Sequence, residues 1–217
     1  MLSFHGEHKL KETTLKDAIW HQEQDKFQQG VWWEGGKGCS LGCLLHYDNR
    51  QHDIFNKASD AWGLPMYLVK LQEHIFEGST PKYALAWTAR FVEVIPVGVD
   101  LDDVCPKIAI YICESVKQYA KGFKGLETVI QGVIDAHIAG SEKQLAAAGD
   151  AARDAARDAA WPAARAGYTE KLGNFIIETL SDMEGINTNE PDREVRGILH
   201  KGTGKISAET RNRVQST

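Results

Sequence analysis

Three residues with chemically useful side chains sit close together within the N-terminal third of the chain. Cys39, Cys43 and His46 are spaced i, i+4 and i+7. On a helix beginning near Cys39 they share one face. A thiol at a helix start is expected to have a lowered pKa, which favours the nucleophilic thiolate. Two cysteines and a histidine are also zinc-type donors, with His21 as a possible fourth. Cys-x3-Cys-x2-His is not a standard zinc knuckle, so no metal site and no cofactor are expected. The plain alternative is packing, because cysteine is among the most buried residue types and behaves as a small apolar group.

The residues just before them suggest binding. Gly30–Gly42 reads Gly-Val-Trp-Trp-Glu-Gly-Gly-Lys-Gly-Cys-Ser-Leu-Gly, five glycines in thirteen residues. That density does not suit a helix interior and marks a shaped loop. Glycine-rich backbone before a helix exposes N–H groups where the helix dipole is positive, a combination suited to a phosphate or carboxylate. Lys37 supplies charge. Trp32 or Trp33 supplies a flat surface for a ring, and only one of them faces a ligand if the segment is extended. Gly38, Cys39, Ser40, Cys43 and His46 complete the loop's candidate binding set. The Walker and dinucleotide patterns are both absent. His21 lies in a polar run that reads either as a solvated helix face or as half of a pair with Asp25, at i and i+4, facing the loop. His74 and His137 lie in apolar stripes and read as core histidines. Ser40 lacks a nucleophile-elbow pattern.

Helices must position this loop. Thr13–Gln28 places Leu15, Ala18, Ile19 and Phe27 near one face, with Gly30 as a stop. Leu41–His46 and Asp48–Ala61 read as short helices. Pro65 opens a helix that carries Met66, Val69, Ile75 and Phe76 and ends at Gly78. Thr80-Pro81 is a start signal, with Ala84, Trp87, Phe91 and Ile95 following at helical spacing before Pro96. Asp100–Asp103 can open the next helix, which carries Val104, Ile108, Ile112, Val116 and Tyr119, with Pro106 in its first turn or kinking it. Leu126–His137 forms another. Ser141-Glu-Lys-Gln144 fits a capping box. The four-residue alanine repeat of 146–166 reads as a thin, tightly packed helix broken at Pro162. Thr169–Glu184 carries Leu172, Phe175, Ile176, Leu180 and Met183. The expectation is an all-α, single-domain irregular bundle of about eight helices over residues 1–185. A polar tail or partner-ordered arm follows over 186–217.

Composition fits a globular chain. The 217 residues are 42% hydrophobic and 25% charged, with Trp 6, Tyr 6 and Phe 7 to fill a core. A net charge of −5 argues against duplex nucleic acid as a partner. No run approaches the roughly 18 apolar residues of a membrane span, so no membrane association is expected. Met1–His8 has no secretory pattern, and four cysteines without one suggest a reducing cytoplasm.

Gly30–His46, followed by Gly63-Leu-Pro65, Ile75-Phe-Glu77 and Ile95-Pro-Val-Gly-Val-Asp100, resembles a family of uncharacterised bacterial and phage proteins. These share a Gly-Lys-Gly-Cys-x-x-Gly-Cys-x-x-His type of loop and an alanine-rich repeat helix. The resemblance spans roughly residues 15 to 180. It implies a cytoplasmic protein of bacteria or their phages and assigns no catalytic role. By association it suggests inhibition of a host defence system, or capture of a signal nucleotide. A cysteine after a Trp- and Gly-rich stretch is also similar to papain-like cell-wall hydrolases. Those need a histidine on a following sheet, and the chain after Cys43 reads as helix.

The reading that follows is a non-catalytic protein that captures a small anionic, nucleotide-like ligand at the loop. A thiol-dependent enzyme and a protein-interaction inhibitor that meets a host protein or a second copy are the alternatives.

Overall fold

In a computed structural model the described residues are 1–46, 53–117, 125–139 and 165–183, all within one compact unit, Met1–Met183. The chain is all-α. Eight α-helices appear among the described residues: α1 His8–Glu23, α2 Ser40–Leu45, α3 Ile54–Trp62, α4 Met66–Gly78, α5 Pro81–Val94, α6 Val104–Lys117, α7 Leu126–Ala139 and α8 Arg165–Ser181. A short 3-10 turn, Ser3–Gly6, precedes them. Two two-residue strands, β1 Trp33–Glu34 and β2 Lys37–Gly38, pair antiparallel. The capping box, the alanine repeat and the 186–217 segment lie outside the described residues.

Helical periodicity explains the core. Trp87 on α5 is fully buried and donates its indole N–H to the Gln72 carbonyl of α4 at 2.9 Å. Ala84, Phe91 and Ile95 are buried along the same stripe. α4 turns Leu68, Val69, Leu71, Ile75 and Phe76 inward, and α8 lays Leu172, Ile176 and Leu180 across both helices. The close approach of α8 needs Gly173, because a Cβ there would stand 2.4 Å from the Tyr83 hydroxyl and 3.1 Å from Trp87. α1 packs on α5, burying Thr14, Leu15, Ala18 and His21. α6 and α7 pair through Ile130 and Ile134 against Ile110, Cys113 and Val116, and Tyr111 stacks on Phe175 of α8.

Several boundaries differ from the sequence pattern. α1 begins at His8 and stops at Glu23, because the backbone turns left-handed at Asp25 (φ 50°). Phe27 therefore lies beyond the helix and forms a parallel bridge with Gly38. α6 opens only at Val104, with Pro106 in its first turn, where a missing N–H costs nothing. The Asp100 carboxylate instead accepts from the Asp102 amide at 3.0 Å. Thr80 and Pro81 start α5 as expected, but the Thr80 side chain donates across to Glu170 of α8 at 2.6 Å rather than capping its own helix. His74 is exposed, facing away from the α4 core stripe, whereas His137 is half-buried.

Glycines draw the loop onto α2. Gly35 and Gly36 have φ of 59° and 80°, the left-handed pair that a two-residue hairpin between β1 and β2 requires. Gly38 and Gly42 serve a different need. A Cβ on either would lie 2.1 Å or 1.6 Å from the Trp32 carbonyl oxygen. Gly42→Ala is therefore expected to lower stability at or above the upper end of the about 1–3 kcal/mol typical of overpacking. Urea denaturation measures this, and a loss below about 0.5 kcal/mol would contradict the close approach.

Candidate functional site

Several of the amide groups expected to cradle an anion are already engaged. Gln28 N–H donates to the Gly38 carbonyl at 2.7 Å, and Gly38 N–H donates to Lys26 at 3.0 Å. Cys39 N–H donates to Val31 at 2.6 Å. At the start of α2, Gly42 N–H donates to Cys39 Sγ at 3.3 Å, and Leu41 N–H donates to Glu73 Oε2 at the same distance. The acceptor at this helix start is thus the chain's own Glu73 carboxyl, reaching from α4. The Gly38, Cys39, Leu41 and Gly42 amides are therefore not available to the external anion expected on the Gly35–Gly42 backbone. The physical reason is that a buried helix end must find internal partners for its amides.

The cysteines face inward. Cys39 and Cys43 are both buried. The thiolate-favouring effect of the helix start does not prevail at Cys39: burial, then the charge of Glu73, push its thiol well up. Burial pushes Cys43 up to about 12, and its Sγ donates to the Gly38 carbonyl at 3.4 Å. Ser40 is also interior. It accepts from Thr88 Oγ1 at 2.7 Å and from the Gln72 side chain, tying α2 to α4 and α5. Gly38, Cys39, Ser40 and Cys43 are therefore structural positions rather than ligand contacts.

The remaining predicted residues separate into two groups. Lys37 lies 3.4 Å from Asp25, and both side chains are exposed. Trp32 meets Phe55 edge-on at 5.9 Å. His21, in contrast, is fully buried rather than solvated, and its partner is Asp17, one turn before it, not Asp25. His21 Nδ1 lies 2.9 Å from the Asp17 carbonyl oxygen and 3.4 Å from Asp17 Oδ1. The αL backbone at Asp25 ends the helix and sends that side chain away, towards Lys37. His46 caps α2 in left-handed geometry (φ 48°, ψ 48°), and its Nε2 lies 3.9 Å from Asp17 Oδ2. Its ring stands 5.4 Å from that of His21 and 5.3 Å from Trp33. Three of the ten predicted residues, His21, Trp33 and His46, thus meet around Asp17, which sequence reasoning missed. The i, i+4 pair Asp17–His21 was the available signal.

Glu73 was missed as well. It falls on the α4 stripe between Val69 and Phe76, so a carboxyl on a core-facing position was its mark. Burial pushes it up to about 7, offset partly by Cys39 and by the Leu41 amide. Cys39, Glu73 and Glu77 bring donor atoms within 4.8 Å of one another. Each already accepts a backbone N–H, from Gly42, Leu41 and Gly30 respectively.

At the foot of the loop lies an open cleft of about 570 Å³. Phe27 and Phe76 meet edge-to-face at 5.8 Å in its wall, while Asp25, Gln28, Gln29 and Lys82 bring polar groups to it. Among the described residues no helix is long and apolar enough to cross a membrane. Comparison with protein-family models, with curated proteins and with solved structures finds no match.

Two outcomes follow from the buried groups. Folding keeps the Glu73 proton to about pH 7, whereas the unfolded chain releases it near 4.5. The stability this group contributes is full below 4.5 and is lost as pH rises through about 7. Denaturant titrations across this window should show Glu73→Gln gaining on the native protein, by on the order of 3 kcal/mol at the top. Parallel pH profiles would contradict this. Cys39 and Cys43 should react with iodoacetamide far more slowly than free cysteine, and at the ordinary rate in urea.

Proposed function

We propose that this chain is a non-catalytic binding protein whose ligand is a small, ring-containing anion of nucleotide type. The observation that carries the reading is the cleft at the foot of the Gly/Trp-rich loop. Its volume of about 570 Å³ falls within the range of small-molecule sites, and it combines an apolar wall with few polar groups. The ligand ring lies against Phe27, with Pro81 and Leu85 completing the apolar wall. The anionic group lies at Lys82, on the exposed first turn of α5, where the positive end of the helix dipole adds to the lysine charge. Gln28 and Gln29 offer amides to the ring edge, although Gln29 also holds the Phe76 and Ser79 carbonyls. Asp25, 3.4 Å from Lys37, forms the rim on the loop side. This moves the binding surface from the loop's amides, which are internally bonded, to its base.

The thiol-enzyme alternative loses support because burial disfavours the thiolate at both Cys39 and Cys43. In keeping with the resemblance noted above, we place the protein in the cytoplasm of bacteria or their phages. The biological role we assign is sequestration of a nucleotide signal in host defence.

Calorimetry of the full chain against mono-, di- and cyclic nucleotides tests the reading. At least one is expected to bind below millimolar concentration, and Lys82→Glu should weaken it about tenfold, equivalent to roughly 1.4 kcal/mol. Absence of binding across the panel, or binding indifferent to Lys82→Glu, would overturn it.

A further inference from the structure

We infer that Asp17, His21 and His46 form a site for a divalent first-row transition-metal ion of the zinc type. One carboxylate oxygen and one nitrogen from each imidazole lie within 4.8 Å of one another. Asp17 Oδ2 is 3.9 Å from His46 Nε2. Donors around a tetrahedral ion at about 2.0–2.1 Å stand roughly 3.4 Å apart, so a cluster held within 4.8 Å needs a modest contraction. His46 can supply it, since its side chain is 60% exposed. Two imidazoles and one carboxylate form a donor set that suits zinc or iron(II) and leaves coordination positions open to water.

Two independent features point to a missing partner. His21 is wholly buried, yet among the described residues its Nε2 has no hydrogen-bond partner. Its other nitrogen, Nδ1, faces the Asp17 carbonyl at 2.9 Å. A carbonyl only accepts, so the proton resides on Nδ1 and the lone pair on Nε2. A metal-ligating histidine is held in this way, its second nitrogen donating to a backbone carbonyl that fixes tautomer and ring orientation. Buried polar atoms are seldom left without a partner, and an ion satisfies this one.

The second feature is the backbone of His46. It adopts the left-handed conformation that glycine takes most readily at helix ends, and a side chain there carries strain. The same conformation puts its imidazole beside His21 and Trp33. The Cys39–Glu73–Glu77 cluster also holds an unpartnered buried atom, Glu73 Oε1, but each of its three residues already accepts a backbone amide.

The test uses the full chain without a histidine tag, stripped by chelator dialysis and titrated with Co²⁺ under visible absorption. One ion per chain is expected, with d–d bands that Zn²⁺ abolishes by displacement. His46→Gly removes one ligand while relaxing the left-handed backbone, so the fold should persist by circular dichroism. Its Co²⁺ affinity should drop by more than the about 10–100-fold that loss of an outer-shell partner costs. Asp17→Asn should weaken binding as well, whereas Cys39→Ser should leave the spectrum unchanged. No spectral change at millimolar Co²⁺ overturns the site. So does a folded His46→Gly that binds like the native protein, since the ion would then sit on other histidines.

Discussion

The Trp32 carbonyl rests on a strip of backbone that has no room for side chains, at Gly38 and Gly42. That contact sets the position of the loop over α2, and much of the site geometry depends on it. With the loop pressed down, the Cys39 amide reaches the carbonyls of Val31 and Trp32. α2 then points Leu41 and Cys43 into the core. The helix has only six residues, so its last turn delivers His46 directly over α1. A two-residue turn of glycines places Trp33 beside that imidazole. The glycines that suggest a phosphate cradle thus act through the backbone approach they permit, not through free amides.

Glu73 complements that contact from the opposite side. It is a carboxyl embedded among apolar residues of α4, and it accepts the Leu41 amide at the start of α2. Burial favours its neutral form near pH 7, which reduces the cost of placing an acid there. Ser40, Gln72 and Thr88 extend the polar contact sideways, so a small hydrogen-bonded seam runs through the junction of α2, α4 and α5. Such seams specify geometry because each group has few alternative partners in a dry interior. The loop, α2 and α4 are consequently held as one piece, with the cleft on one side and the Asp17–His21–His46 cluster on another.

The helices were legible because period 3.6 is written in the residues themselves. The stripe Ala84, Trp87, Phe91 and Ile95 is buried along its whole length. Thr80-Pro81 marks the start of α5 within the chain, since proline's fixed φ and missing N–H suit only a first turn. The end of α1 was not legible. Residues 24–28 are polar but for Phe27 and read as helix, and the left-handed turn at Asp25 goes with the parallel bridge of Phe27 to Gly38, a contact across the fold. His21 was misplaced for a related reason. Its neighbours Gln22, Glu23 and Gln24 are polar, yet its own azimuth on α1 faces inward, in line with Thr14 and Ala18.

From the sequence alone came the all-α class, the main helical stripes and the special character of Gly30–Gly42. These depend on local propensity, spacing and the absence of side chains, which neighbouring residues suffice to encode. Only the tertiary structure decided which polar groups meet. It gave the start of α2 to Glu73, separated by 32 positions from Leu41, and paired His21 with Asp17 and His46 instead of Asp25. Hydrogen bonds and side-chain clusters of this kind depend on how helices pack against one another. That packing is fixed by volume and close approach across the whole core, which no single stretch of sequence contains.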